Sequence, residues 1–360
     1  MTVERAKRIA GWTRSEVRGL KPYYKAPLDG NPLRLDQNTN LRGPNPAIAA
    51  VDARKLDATQ YPSRDADDLL EALAQFHNLS ADHFTVGNGG DELLELLVKA
   101  FGETGSTLAV PAPTYSLYPG IATGAGLRFK PVPTRGGFAT LDVEAIAATK
   151  PRMVWVANPN NPTGARYKGD DLEQLLGAID GVVLVDEAYI EYAGLKNSLL
   201  NRVEEFDNLV VLRTFSKAYG LAGLRVGYLA ANLDLSARLR LVKPPFNVNV
   251  YSEAVAVAAL EHQEWVDEGV RTVRAERERL AAGLKSLGFR VHASEANFLL
   301  CEPSIDAGEL LLALRKAGIL ARTFPTTAGL ERTIRFTIGE PRHTDALMTA
   351  LRGIVPEAPA

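Results

Sequence analysis

Four stretches near the middle of the chain constrain its fold most: STLAV (106–110), RMVWVAN (152–158), GVVLVDEAY (181–189) and NLVVLRTFS (208–216). Each contains an apolar run with no polar alternation. A strand with one wetted face alternates apolar and polar residues, so an unbroken run suits a strand covered on both faces. Helix-like segments lie between and around the runs: DELLELLVKAF (91–101), GDDLEQLLGAI (169–179) and LDLSARLRLV (233–242). Strands and helices in alternation predict an α/β architecture with a parallel sheet and helical crossovers. After KPPFNVNV (243–250) the pattern changes. A long helical region runs to about Leu287, with Val270, Val273, Leu280, Leu284 and Leu287 on one face and the charges of Glu276–Arg279 expected in solvent. FRVHAS, NFLLCEP, AGELLLALRKAG, ILARTF and TIRFTIG then read as a smaller α+β unit, joined by the N-terminal segment.

A chain of 360 residues, 46% hydrophobic and 23% charged, has material for about two globular domains. Its net charge of −2 lacks the basic footprint of a nucleic-acid binder. The single cysteine, Cys301, excludes an intramolecular disulfide and suits a reducing compartment. The first twenty residues carry charges throughout, without the apolar core of a signal peptide, and no run reaches the roughly 18 apolar residues of a spanning helix. A cytoplasmic location is the expectation. His77, His83, His262, His292 and His343 are scattered without metal-ligand spacing, so no metal site is expected.

Ligands of open parallel sheets bind beyond the carboxyl ends of the strands. Here MVWVA ends in Asn158-Pro159-Asn160-Asn161-Pro162-Thr163-Gly164, VVLV in Asp186-Glu187-Ala188-Tyr189, and LVVL in Arg213-Thr214-Phe215-Ser216-Lys217. If these strands are neighbours, an amide, a carboxylate, a phenol, two hydroxyls and an amine converge on one rim. GNGGDELLELL (87–97) opens a helix from glycine turns, where free backbone N–H groups suit a phosphate. It is not a dinucleotide fingerprint, because G-x-G-x-x-G fails at Glu92.

NPNNPTG, VDEAY and TFSKAYGLAGLRVGY, in that order, resemble the aspartate-aminotransferase fold (fold type I) of pyridoxal-phosphate enzymes. VRGLKPY (17–23), LDQNTNLRGPNP (35–46), YPS (61–63), GNGGDELLELL, PTYSLY (113–118) and PFNVNVYSEAVAVAAL (245–260) resemble its histidinol-phosphate aminotransferase branch. The resemblance implies an N-terminal arm, residues 1–44, that forms part of the small domain. It further implies a large, mainly parallel-sheet, three-layer αβα cofactor domain over 45–245 and a small α+β domain over 246–360.

It also implies roles for single residues. Lys217 tethers the cofactor aldehyde, because an amine can hold an aldehyde and still be displaced, and then carries protons. Asp186 keeps the cofactor's ring nitrogen protonated, making the ring an electron sink; the bland alternative is an aspartate that caps the next helix. Tyr189, the third member of the catalytic set, pairs with Asn161 on the cofactor's phenolic oxygen, although NPTG is also a good β-turn. Gly89, Gly90, Asp91, Thr214, Ser216 and Arg225 form the phosphate cup. Tyr115 stacks on the ring or serves as a core aromatic, and Tyr61 reaches the cofactor phosphate of a partner subunit, which implies a homodimer with shared sites. Arg335 and its companion Arg322 grip an anionic group of the substrate, while Tyr23 and Asn40 approach it from the arm.

The branch transfers an amino group between histidinol phosphate and 2-oxoglutarate, giving imidazole-acetol phosphate and glutamate in histidine biosynthesis. The residues leave open an aminotransferase for aromatic or other amino acids, an O-phospho-threonine decarboxylase and a non-catalytic cofactor binder. Four positions depart from the branch pattern: Asn38-Thr39-Asn40-Leu41 stands for Asn-Glu-Asn-Pro, differing at Thr39 and Leu41, Ser116 for a glycine, and Gly90 for an alanine.

Overall fold

All four apolar runs enter one seven-stranded sheet in the computed structural model, which describes residues 3–20 and 30–355. The strands lie in the order Phe84–Gly87, Gly227–Ala231, Leu209–Thr214, Val182–Asp186, Met153–Ala157, Thr107–Ala112 and Arg128–Pro133. Gly227–Ala231 runs antiparallel to both its neighbours; the remaining pairings are parallel. Successive side chains point to opposite faces, and both faces are covered. Val154, Val156, Val183, Val185 and Val211 pack with Leu69 and Leu73 of helix Asp67–His77 and Leu172 and Leu175 of helix Gly169–Ala178. On the other face Trp155, Leu184 and Leu212 pack with Leu93 and Leu97 of helix Gly90–Phe101 and with Tyr118. Each such Val or Leu contributes about 1.5–3 kcal/mol on burial, so an unbroken apolar run is what this two-sided packing requires.

Three strands gave little sign in the sequence. Arg128–Pro133 is a largely exposed edge strand with two prolines. Gly227–Ala231 is built from glycine, alanine, leucine and tyrosine, and Phe84–Gly87 is short. Gly227 is needed for closeness: a Cβ there would meet the Arg213 carbonyl at 3.0 Å and the Gly90 nitrogen at 3.3 Å.

A second sheet, antiparallel, follows the order Arg322–Thr323, Ile334–Thr337, Phe298–Glu302 and Arg290–Val291. The short strand Leu33–Arg34 pairs in parallel with Ile319–Leu320, delivering residues 36–39 to the space between the sheets. The helical region after residue 250 is two helices, Val250–Glu261 and Gln263–Ser286.

The expectation that Glu276 lies in solvent is overturned: its side chain is buried, while Arg279 is nearly half exposed. Arg279 donates to Glu276, to Asp345 and to the carbonyl of Pro341, so its guanidinium bridges this helix to the helix Pro341–Ile354. A buried carboxylate is tolerated because that charge sits on it. Among the described residues no helix is long and apolar enough to cross a membrane.

Candidate active site

Parallel register sets the strand ends level: Ala157 lies beside Asp186, and Asp186 beside Leu212. Beyond these ends opens a cavity of about 700 Å³, closed from the far side by residues 36–39 and by the segment carrying Arg322, Phe324 and Arg335. Gly90, Asp91, Tyr115, Asn161, Asp186, Tyr189, Thr214, Ser216, Lys217, Arg225, Arg322 and Arg335 all line it. The expected convergence on one rim is therefore present.

Asp186 forms the floor. Its Oδ2 accepts a 2.7 Å hydrogen bond from the Tyr118 hydroxyl and its Oδ1 a 3.1 Å bond from the Ala188 N–H. Burial pushes its carboxyl up to about 6, against the lowering effect of those two donors. Tyr118 was not singled out by the sequence reading, although it stands three residues after Tyr115 in PTYSLY. It is fully buried, edge-on to Trp155 at 5.1 Å and to Tyr115 at 5.4 Å, and so braces both the carboxylate and the expected stacking ring.

Lys217 leaves the loop after strand Leu209–Thr214, half-buried, with Nζ donating to the Gln37 carbonyl at 3.2 Å and lying 5.5 Å from the Tyr189 ring centre. The Tyr189 hydroxyl accepts from Asn161 Nδ2 at 3.4 Å and from Asn38 Nδ2 at 3.2 Å. Asn38 is a second residue the sequence reading passed over; it holds a left-handed backbone (φ 55°), which asparagine tolerates.

The helix Gly90–Phe101 points its N-terminus into the cavity. Thr214 Oγ1 donates to Ser216 Oγ at 3.0 Å and accepts from the Ser216 N–H at 3.1 Å, fixing two hydroxyls at the rim. Arg225, also left-handed (φ 54°), lies over Gly89 and pairs with Asp91 at 3.4 Å. Gly89 has φ 87°, and a Cβ there would come within 2.5 Å of the Arg225 guanidinium. Gly90 is under no such demand, since its Cβ would meet Leu212 at an ordinary 3.5 Å.

In the wall of the cavity Arg335 is buried, donating to Asn161 Oδ1 at 2.5 Å and to the Asp36 carbonyl at 2.7 Å, with its Cζ over the Phe298 ring at 5.1 Å and the Phe324 ring at 5.6 Å. Arg322 is its register partner on the adjacent strand. Asn40 is not brought to the cavity: its Nδ2 donates to the Ala218 carbonyl and its Oδ1 accepts from the Arg42 N–H, bracing the loop beyond Lys217. Thr39 lines the wall instead. Tyr61 is on the surface, 82% exposed and stacked on Phe246. Tyr23 lies outside the described residues.

Residues 30–353 match the family Aminotransferase class I and II. A histidinol-phosphate aminotransferase from Caldanaerobacter subterraneus subsp. tengcongensis is 35% identical, the match covering 96% of this chain and 99% of the relative. Another, from Roseiflexus castenholzii, is 38% identical over 96% of this chain and 99% of its own. The crystal structure of histidinol-phosphate aminotransferase from Sinorhizobium meliloti in complex with pyridoxal-5'-phosphate superposes with a TM-score of 0.82 at 26% identity, covering 90% of each chain. Fold and rim together define a pyridoxal-phosphate transaminase. The chain belongs to the class I and II aminotransferases, within their histidinol-phosphate aminotransferase branch.

Proposed function

We propose that this chain transfers the amino group of histidinol phosphate to 2-oxoglutarate, acting in the cytoplasm as a homodimer. Arg335 carries the reading. Its guanidinium is buried in the cavity wall against the Phe298 and Phe324 rings, with Arg322 as its register partner. A planar, permanent cation in that place suits a phosphate or a carboxylate, the two anions that the paired substrates present. Full-length similarity to relatives bearing the histidinol-phosphate name supports the first of these.

The residues fit pyridoxal phosphate on two counts. Asp186 still has acceptor capacity toward the cavity after its two donors, at a depth where a cationic ring nitrogen would relieve the cost of its charge. The helix N-terminus, Gly89, Gly90, Asp91, Thr214, Ser216 and Arg225 form a cradle that a Cβ at Gly89 would fill. When bound, the cofactor supplies an electron sink for the substrate's α-carbon. Lys217 would hold the aldehyde, and its free Nζ would take and return the α-proton. Asp186 would hold the nitrogen's proton, Tyr189 and Asn161 would donate to the phenolic oxygen, and Tyr115 would cover the ring. Tyr61 reaches the phosphate in the partner's site. On this reading residues 1–44 form the arm, 45–245 the large domain and 246–360 the small domain.

A donor panel read by cofactor absorbance tests the assignment. Histidinol phosphate should discharge the aldehyde band, and 2-oxoglutarate should restore it. If phenylalanine bleaches the band while histidinol phosphate leaves it unchanged, the substrate is wrong and an aromatic amino-acid aminotransferase replaces it.

A further inference from the structure

Behind the phosphate cup lies a buried ammonium that takes no part in the chemistry above. The Lys243 side chain is 2% exposed, and its Nζ pairs with Asp65 Oδ1 at 3.1 Å. It also donates to the Arg64 carbonyl at 3.0 Å, the Pro244 carbonyl at 3.3 Å and Asn247 Oδ1 at 3.1 Å. A lysine is almost never this deeply buried unless paired, so its partners are held tightly to it. Asn247 carries the network on: its Nδ2 donates to Glu92 Oε2 at 2.6 Å, and the same oxygen accepts the Asn88 N–H at 2.6 Å. An unbroken chain of polar contacts thus runs from Asp65 to Asn88, the residue before Gly89.

The outer end of this network carries Tyr61. The Phe246 N–H donates to the Arg64 carbonyl at 3.1 Å. Phe246 has φ 59°, a left-handed backbone that a bulky residue keeps only where its surroundings impose it. In that conformation its ring stacks on Tyr61 at 4.9 Å, and both rings remain open to solvent, Tyr61 almost wholly. Lys243 therefore bonds to both the 64–65 segment and the 244–247 turn, whose Phe246 stacks on the exposed tyrosine.

We infer that Lys243 is a positioning residue that fixes the Tyr61 segment relative to the chain's own phosphate cup, so that Tyr61 meets the cofactor phosphate held by a second copy. The inference rests on the role given to Tyr61 above. In a symmetric dimer each chain supplies one cup and one tyrosine, so the spacing between them within a chain determines whether both sites close.

The test uses cofactor-stripped dimer titrated with pyridoxal phosphate and, separately, with pyridoxal, which lacks the phosphate. The ratio of the two affinities isolates the phosphate contacts. Tyr61→Phe, which keeps the stack and loses the hydroxyl, should lower the ratio about tenfold, the worth of one hydrogen bond to a charged group. Lys243→Met should lower it similarly, and the double variant should lose no more than either single one, although the side chains of Lys243 and Tyr61 are joined only through the 64–65 and 244–247 segments. If Lys243→Met weakens both ligands alike, or its effect adds to that of Tyr61→Phe, the positioning role is overturned while the Tyr61 role stands. If Tyr61→Phe leaves the ratio unchanged, the Tyr61 role falls and this inference with it. Should Lys243→Met fail to form a dimer by ultracentrifugation, Asp65→Asn removes the ion pair from the other side and must give the same non-additivity.

Discussion

Burial raises the Asp186 carboxyl to about 6, with Tyr118 and the Ala188 N–H holding it down. In the unfolded chain it would titrate near 3.9. Without cofactor, the folded protein therefore keeps a proton that the unfolded chain releases. The stability this proton contributes is complete below about pH 3.9 and is lost as pH rises through about 6, at most ~3 kcal/mol. Asp186→Asn removes the charge, so the cofactor-free variant should melt above the cofactor-free wild type at pH 8, with the gap narrowing at pH 4. Calorimetry checks this, and turnover of the loaded variant should fall by orders of magnitude. Tyr118→Phe removes the donor at 2.7 Å and leaves Asp186 easier to protonate. The acid limb of the kcat profile should then move to higher pH, with about a tenfold loss near neutrality. For Lys217→Ala, turnover should collapse while the cofactor still binds through its phosphate; near-wild-type turnover would refute the tether.

At the scale of elements, the phosphate cup separates two glycines that look alike in GNGG. Gly89 carries φ 87° and the close approach of Arg225; Gly90 opens the helix with ordinary backbone and space for a methyl. Gly90→Ala should raise stability by about 0.5–1 kcal/mol with activity kept. Gly89→Ala should displace Arg225 and cost cofactor affinity. Thermal melts and cofactor titrations of the two variants check the pair. The central strands were legible because two-sided burial leaves a continuous apolar run. The strand Gly227–Ala231 was not, because close approach to its neighbours selects small residues that carry no strand signal. Glu276 was misplaced for a related reason: helical periodicity shows which residues share a face, but not that another helix end covers them.

The whole molecule is where the site's completeness is decided. Tyr61 is exposed and outside the cavity of its own chain, so the role proposed for it requires a partner. Mixing Tyr61→Ala chains with Lys217→Ala chains should create some dimers with one intact site. Activity should recover toward about a quarter of wild type for random pairing, on the reasoning that a C2 dimer exchanges the same residues in both directions. No recovery in dimers verified as mixed would count against shared sites.

The sequence by itself determined the strands buried on both faces and the polar residues at their ends, because burial and polarity are properties each residue carries locally. From them the rim of Asn161, Asp186, Tyr189, Thr214, Ser216 and Lys217 could be read. Only tertiary structure decided which groups touch. Tyr118 meets Asp186 across 68 positions of chain and Arg335 meets Asn161 across 174, while Asn40 turns away to brace Ala218. Such contacts depend on strand order, crossovers and the packing of one sheet against another, and no local pattern of residues encodes those distances.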